Sequence, residues 1–233
     1  MLAPLVGAAA VAAGAAAQAL TGIGFSLVCA PFLVATSGSR EGVREAILLS
    51  LVLNVALLCR EARLVRLRPA AVIWVPAALV TPVVAWAVRR APADQLAVAA
   101  GVVTVVTALA LGAGVRVRSA SGPAGAVGAG VVSGAMNVVA GIGGPAVALY
   151  AVNAGWPVAS ARPTLQAYFV ALNAVGLASL GVPDVTLAQA AGLVAGWLGG
   201  TLAAPRVPDR AAVVATLALA VVGGGVAIGH GLA

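Results

Sequence analysis

Charge is scarce in this sequence, and most of it is basic. Only 8% of the 233 residues are charged, whereas soluble domains of similar length carry about 25%. Lysine is absent, so all thirteen basic residues are arginine. These arginines lie mainly in short connectors between apolar runs, which is where membrane proteins place them. The composition excludes a water-soluble fold, and the net charge of +7 does not form a nucleic-acid-binding patch.

Groups that could carry out catalysis are also few. The single histidine, His230, lies near the C-terminus, and the two cysteines, Cys29 and Cys59, lack metal-ligand spacing. Ser26 has no base nearby in the sequence to activate it as a nucleophile. We therefore predict a protein that is not an enzyme and needs no cofactor. The six acidic residues all fall in or beside connectors: Glu41, Glu45, Glu61, Asp94, Asp184 and Asp209.

Long apolar runs dominate what remains. Eight of them can be marked, and six have the length of one transmembrane helix, which takes about 20 residues. The runs at about 2–36 and 122–155 are too long. A helix of that length would extend about 50 Å, against a hydrocarbon core of about 30 Å. Each long run is therefore predicted to be a broken helix hairpin, because irregular backbone at membrane depth must be buried in protein or line a cavity.

The two long runs are equivalent parts of an internal repeat. A shift of 119 positions places Gly22-Ile23-Gly24 on Gly141-Ile142-Gly143. We call residues 22–24 the first glycine break and residues 141–143 the second glycine break. The same shift places Gln18 on Asn137 and Asn54 on Asn173. Interrupted hydrophobic segments at matching places in two halves indicate the substrate site of a transporter.

The arginine distribution predicts that the two halves are inverted. The connector 60–68 has four arginines and one glutamate, so it is expected to be cytoplasmic. The equivalent connector of the second half, 181–184, has no arginine and contains Asp184. We predict an all-α integral membrane protein with two inverted repeats, residues 1–118 and 119–233. Each repeat would consist of a broken or re-entrant helix hairpin plus three transmembrane helices.

The absence of acidic residues from the apolar runs favours an anionic substrate. Backbone N–H groups at the N-termini of the second hairpin arms, near Phe25 and Pro145, can bind an anion. Arg44 and Arg162 stand at the heads of the helices that follow the hairpins, where they either attract the anion or anchor helix ends. The paired amides either contact substrate or stabilise the backbone and helix packing. The candidate substrate-binding residues are Gln18, Gly22, Gly24, Arg44, Asn54, Asn137, Gly141, Gly143, Gly144, Arg162, Gln166 and Asn173.

The two break segments resemble the motifs of a known family. The stretch from Gly134 to Pro145, followed by Tyr150, resembles the second-half signature of the TauE/SafE sulfite exporters. The stretch from Gln18 to Phe25, followed by Pro31, resembles the first-half motif. The resemblance extends over essentially the whole chain and implies that the glycine motifs line an anion pathway. Phe25 stands where the second half has Gly144, which suggests that the second break does more of the binding.

These observations together predict an exporter. We expect sulfite or a short organosulfur anion such as sulfoacetate to cross the bacterial inner membrane by alternating access. A passive anion channel of the same fold is the alternative. The expected partners are the small sulfur-containing anion and the lipid bilayer, with no nucleic acid, and a homodimer is compatible with the sequence. Since sulfite itself titrates, proton coupling is expected to depend on the substrate.

Overall fold

The computed structural model describes residues 2–22, 24–114 and 121–233. Ile23 of the first glycine break, Arg116 and Arg118 of the central connector, and the predicted boundary between residues 118 and 119 lie outside the described residues. Within the described ranges every regular element is helical. The helices are α1 (Leu2–Thr21), α2 (Phe25–Ser37), α3 (Ser39–Glu61), α4 (Leu67–Val88), α5 (Ala93–Gly112), α6 (Gly122–Ala140), α7 (Gly144–Asn153), α8 (Val158–Leu180), α9 (Leu187–Ala203) and α10 (Asp209–Leu232), with a 3-10 turn at Ala62–Leu64 between α3 and α4.

Seven of the helices in the described part of the chain are long and apolar enough to cross a membrane: α1, α3, α4, α5, α6, α8 and α10. Helix α9 has 17 residues, or about 26 Å at 1.5 Å per residue. The chain is therefore an all-α, multi-pass membrane protein. The long apolar side chains that remain exposed, such as Leu79 and Val83 on α4, are those that a bilayer would cover.

Both long apolar runs are interrupted at the predicted glycines. Helix α1 ends at Thr21 and α6 ends at Ala140, and the next helices begin after only three residues. Gly22 and Gly141 have φ angles of 80° and 71°, in the left-handed region that glycine adopts without a steric penalty. The arms are unequal, because α1 and α6 have 20 and 19 residues whereas α2 and α7 have 13 and 10. Each first arm is therefore long enough to cross a membrane, whereas each second arm is shorter.

The first arm of each hairpin packs against a helix from the other half of the chain. Helix α1 packs on α9, and α6 packs on α4. A methyl group at Gly192 would lie 2.6 Å from the Ala8 carbonyl oxygen, and one at Gly134 would lie 2.7 Å from the Ala77 carbonyl oxygen. Such close backbone approach gives membrane helices van der Waals packing energy. They need it because lipid supplies no hydrophobic driving force for their association. The two halves are thus interlocked.

Helices that are equivalent in the repeat also pack against each other, and they run in opposite directions. Helix α3 packs on α8 with Ile47, near the start of α3, against Gly176, near the end of α8. Helix α5 packs on α10 with Asp94, at the start of α5, against Gly231, at the end of α10. Helices that are equivalent in the predicted repeat are thus antiparallel in both of these pairs.

The second hairpin arms differ in how well they are packed. Helix α2 packs against α3, α10 and α5, whereas α7 packs mainly against α6 and α8. In the repeat, the counterpart of the α2–α10 contact would join α7 to α5. A cavity of about 550 Å³ lies there instead, lined by residues of α5, α6 and α7. One of two equivalent interfaces is therefore closed and the other is open.

Candidate functional site

The two glycine breaks meet at one small cavity of about 60 Å³. Seven of the predicted site residues line it, and they come from both halves of the chain: Gln18, Gly24, Asn54, Asn137, Gly141, Gly143 and Gly144. The remaining lining residues are Phe25, Ser26, Leu27, Ser50, Leu111, Ile142, Pro145 and Phe169. None of these fifteen lining residues is charged, so the cavity offers only neutral polar groups, backbone and apolar surface.

At the first glycine break, one side chain satisfies the interrupted backbone. The Gln18 Nε2 donates to the carbonyl oxygen of Gly22 at 3.1 Å, and its Oε1 accepts from the backbone N–H of Phe25 at 3.2 Å. The backbone N–H of Gly22 also donates to the Gln18 carbonyl at 2.8 Å. Gln18 therefore caps the broken helix, which is one of the two roles expected from its position.

The second glycine break is satisfied differently. Asn137 is one methylene shorter than Gln18, and its Nδ2 is buried without a hydrogen-bond partner among the described residues. Ser133 donates to the Gly143 carbonyl oxygen at 2.6 Å, and the Tyr168 hydroxyl donates to Ser133 Oγ at 2.8 Å. Asn137 is only 2% exposed. Asn137 lines the cavity, but its unpaired Nδ2 lies on the side of Gly176 of α8, while its Oδ1 lies on the side of Gly143.

The start of α7 adds backbone donors at the same place. Gly143 is the N-cap residue of α7, and no side chain of the described residues caps this helix end. The first N–H groups of a helix have no intrahelical partner and carry the positive end of the helix dipole. Gly144 and Pro145, the first two residues of α7, line the cavity, and of the two only Gly144 has a backbone N–H to donate. The uncapped helix end makes this side of the cavity suited to an anion.

Arg162 and Gln166 lie in neighbouring space, against the first glycine break. They line cavities of about 160 Å³ and 280 Å³, and Gly22 lines both. A methyl group at Gly22 would overlap the Arg162 guanidinium, so glycine is what lets the cation lie against this backbone. Gln166 Oε1 is buried without a partner, and none of the described residues forms a hydrogen bond or ion pair with Arg162. These cavities adjoin the central cavity, since Gln18 lines the first of them and Phe169 the second, and both also line the central cavity.

Arg44 lies far from this group. It forms an ion pair with Glu41 and approaches Gly181, at the end of α8, whereas Arg162 is near the start of α8. Another cavity, of about 210 Å³, is lined by Arg44 together with Arg40 and Arg89. The two predicted arginines therefore stand at opposite ends of α8, about 28 Å apart along its axis at 1.5 Å per residue. Only Arg162 is next to a glycine break.

The equivalent asparagines are both buried but differ in position. Asn54 lines the central cavity and donates to Ser50 Oγ at 3.2 Å. Asn173 is 2% exposed, in α8, and is not among the residues that line the central cavity. Ser133 and Tyr168 were not among the predicted site residues, although both are polar residues within apolar runs. That signal could have found them.

One expectation from the sequence is wrong. The sequence groups Glu45 with the connector charges because it follows Arg40 and Arg44 closely, yet it is only 5% exposed and is the seventh residue of α3. Its carboxylate lies between α2 and α9, where Ser37 and Gln189 bond to it, so closeness to a connector in the sequence does not place it at the surface. The described interior therefore contains one carboxylate.

Comparison with known proteins identifies one family. The model of the family described as Sulfite exporter TauE/SafE matches residues 6–228, which is nearly the whole chain. No curated protein and no solved structure matched the chain.

Proposed function

The chain belongs to the sulfite exporter TauE/SafE family, and on that premise we propose that it exports sulfite or a similarly small organosulfur anion across the bacterial inner membrane. Membership of this family makes the chain a membrane transporter rather than an enzyme. The specific anion, the alternating-access mechanism and the roles of individual residues are our proposal, and they are supported by the geometry between the glycine breaks.

The observation that carries the proposal is the uncharged central cavity with open donors. The uncapped start of α7 borders it, Asn137 lines it, and no acidic residue lines it. A cation would find no counter-charge there, whereas an oxyanion would satisfy donors that are otherwise unpaired. A volume of about 60 Å³ is room for about four water molecules at 15 Å³ each. That size favours sulfite over a sulfonate with a carbon tail.

Arg162 supplies the positive charge on the approach to this cavity. It lies against Gly22, and Gln18 lines both the Arg162 cavity of about 160 Å³ and the central cavity. Arg162 is exposed, and a guanidinium with no partner among the described residues raises the local concentration of anions. We propose that Arg162 receives the anion and passes it to the donors at the second glycine break.

The difference between the second hairpin arms supports alternating access by two inverted repeats, residues 1–118 and 119–233. Helix α2 is packed on α10, while the equivalent space between α7 and α5 is a cavity of about 550 Å³. Leu111 and Pro145 line both this space and the central cavity. With the arginine-rich connector 60–68 in the cytoplasm, the open space is on the cytoplasmic side. We propose that this arrangement is the inward-open state. During export, the space between α7 and α5 would close and the α2–α10 interface would open.

Counterflow in proteoliposomes tests the transport mechanism. Purified protein is reconstituted with unlabelled sulfite inside, and uptake of labelled sulfite is followed. A carrier should show saturable uptake that internal sulfite accelerates, because the loaded site returns faster than the empty one. Flux that does not saturate and is not accelerated would instead support the passive channel, and no flux at all would overturn the proposal.

A cysteine cross-link tests the proposed exchange of interfaces. Thr107→Cys on α5 and Ala146→Cys on α7, in a chain with Cys29 and Cys59 replaced, put thiols on two walls of the open cavity. Oxidation during turnover should close the bond and stop counterflow, and reduction should restore it. A pair that never cross-links during turnover would argue against movement of α7 toward α5.

A further inference from the structure

Glu45 is a buried carboxylate in a transmembrane helix, and no step of the proposed transport cycle uses it. Ionisable residues inside membrane proteins are rare and usually functional. We propose that Glu45 is a proton-binding site that couples proton movement to anion export. This inference rests on the proposed function, but it concerns a site separate from the central cavity.

The first argument is the geometry around the carboxylate. Glu45 Oε2 accepts from Ser37 Oγ at 3.0 Å and from Gln189 Nε2 at 2.8 Å. The orientation of the Gln189 amide is fixed, because its Oε1 accepts from the backbone N–H of Thr186 at 2.8 Å. Glu45 thus joins three helices, α2 through Ser37, α3 through its own backbone and α9 through Gln189.

The second argument is the charge around Glu45. On its own helix, Arg44 is paired with Glu41. The titratable group facing it from α2 is Cys29, and its contact on α9 is the neutral Gln189. Among the described residues, no cation pairs with Glu45. A proton that binds or leaves therefore changes the local charge by a full unit with no partner to cancel it, and such a change has large effects in a buried site.

The third argument comes from the internal repeat. The equivalent of Glu45 in the second half is Thr164, which is fully buried and whose Oγ1 accepts from the backbone N–H of Arg66 at 3.0 Å. Both residues thus bond to a group at the start of another helix, α9 for Glu45 and α4 for Thr164. The same contact is titratable in one half and neutral in the other. A requirement for packing alone would be met by a neutral residue, as Thr164 shows.

A path leads from Glu45 to the anion site. Ser37 is the last residue of α2, and the first residues of α2 line the central cavity. Helix α9 is packed closely on α1, which carries Gln18. An ionised Glu45 accepts both hydrogen bonds as a charged group, and a proton on either carboxyl oxygen removes that charge and weakens both bonds. Proton binding would therefore loosen the end of α2 and the start of α9 from α3.

The test compares Glu45→Gln with Glu41→Gln, a matched change on the same helix. Proteoliposomes containing a pH-sensitive dye report protons moved, and labelled sulfite reports anions moved. We expect Glu45→Gln to retain sulfite counterflow while the number of protons moved per sulfite falls by about one. Glu41→Gln should keep the ratio of the unmodified protein. An unchanged ratio in Glu45→Gln would overturn the coupling role.

Two further results keep the inference separate from the proposed function. If the unmodified protein shows no sulfite counterflow, the proposed function fails first and the coupling inference with it. If Glu45→Gln does not fold, infrared difference spectra of the unmodified protein replace it. Addition of sulfite should then change a carboxyl C=O band that Glu45→Asp shifts and Glu41→Gln leaves in place. No carboxyl band in the difference spectrum would overturn the inference.

Discussion

The two glycine breaks occupy equivalent places in the repeat, but their backbones are completed in different ways. At the first break the long Gln18 side chain bonds to both sides of the gap, and Arg162 lies against Gly22. At the second break Ser133 bonds to Gly143, while Asn137 keeps an open donor. One break is therefore closed internally and has a cation beside it, and the other is uncharged and retains unpaired donors.

This difference suggests a division of roles within one site. A positive charge attracts an anion over a distance, whereas unpaired N–H groups bind it only at contact and fix its orientation. The expectation that the second break does more of the binding stays a prediction. We expect the first break to govern anion capture and the second to govern selectivity, and the following predictions test this comparison.

The largest effect should come from Arg162→Gln. This change removes the only cation that lies against a glycine break in the described structure, and a hydrogen bond to a charged group contributes about 1.5–3 kcal/mol. Sulfite affinity, measured by calorimetry or thermal shift, should fall roughly 10- to 100-fold. The matched control is Arg206→Gln, since Arg206 only bonds to the Leu202 carbonyl at the end of α9. Equal losses in both variants would argue against a capture role.

Gly144→Val should block the central cavity while leaving the fold intact. A Cβ at Gly144 would lie 3.6 Å from the Phe169 ring, so the backbone need not move, but the added methyl groups would project into a space of about 60 Å³. We expect counterflow to fall at least about tenfold, with an elution profile unchanged on size-exclusion chromatography. Gly199→Val, at a helix glycine with open space around it, should keep normal counterflow. Unchanged transport in Gly144→Val would remove the second break from the site.

Replacing each paired amide with leucine should separate stability from binding. Gln18→Leu removes two backbone hydrogen bonds and should lower the free energy of unfolding by about 1–3 kcal/mol. Asn137→Leu removes a buried group whose Nδ2 has no partner, so stability should change by less than about 1 kcal/mol while sulfite binding weakens. Denaturation in detergent and binding assays on the same samples measure both. A reversed order of the two losses would contradict the assignment of cap and ligand roles.

Tyr168→Phe should have the smallest effect. The Tyr168 hydroxyl donates to Ser133, and Ser133 donates to Gly143, so the change loosens the second break without removing a direct contact to the cavity. Hydrogen bonds of this kind in membrane proteins average about 0.6 kcal/mol. We expect sulfite affinity to fall two- to threefold. The contribution of Arg162 to sulfite binding at low salt should stay the same. A loss as large as that of Arg162→Gln would place Tyr168 in direct contact with the anion.

Much of this arrangement could be predicted from the sequence because it follows from length and repetition. A run of some 34 apolar residues cannot be one membrane helix, and a shift of 119 positions aligns the two interruptions. Those two facts placed the breaks where α1 and α6 end. In the structure, seven of the twelve predicted site residues line one cavity.

The rest depends on contacts between distant parts of the chain. The ion pair of Arg44 with Glu41, three residues earlier, follows from the local sequence, whereas the position of Arg162 against the first glycine break depends on the fold. Glu45 looks like a connector residue in the sequence, but contacts with α2 and α9 bury its side chain. The open space between α7 and α5 also could not be predicted from the sequence. Helices α2 and α7 have similar compositions, and only their placement in the fold differs.

The pairing of each first hairpin arm with a helix of the other half has a consequence for biogenesis. Helix α1 leaves the ribosome well before the glycines of α9 that receive it. Its packing face must therefore stay in lipid, or against the insertion machinery, until α9 has been inserted.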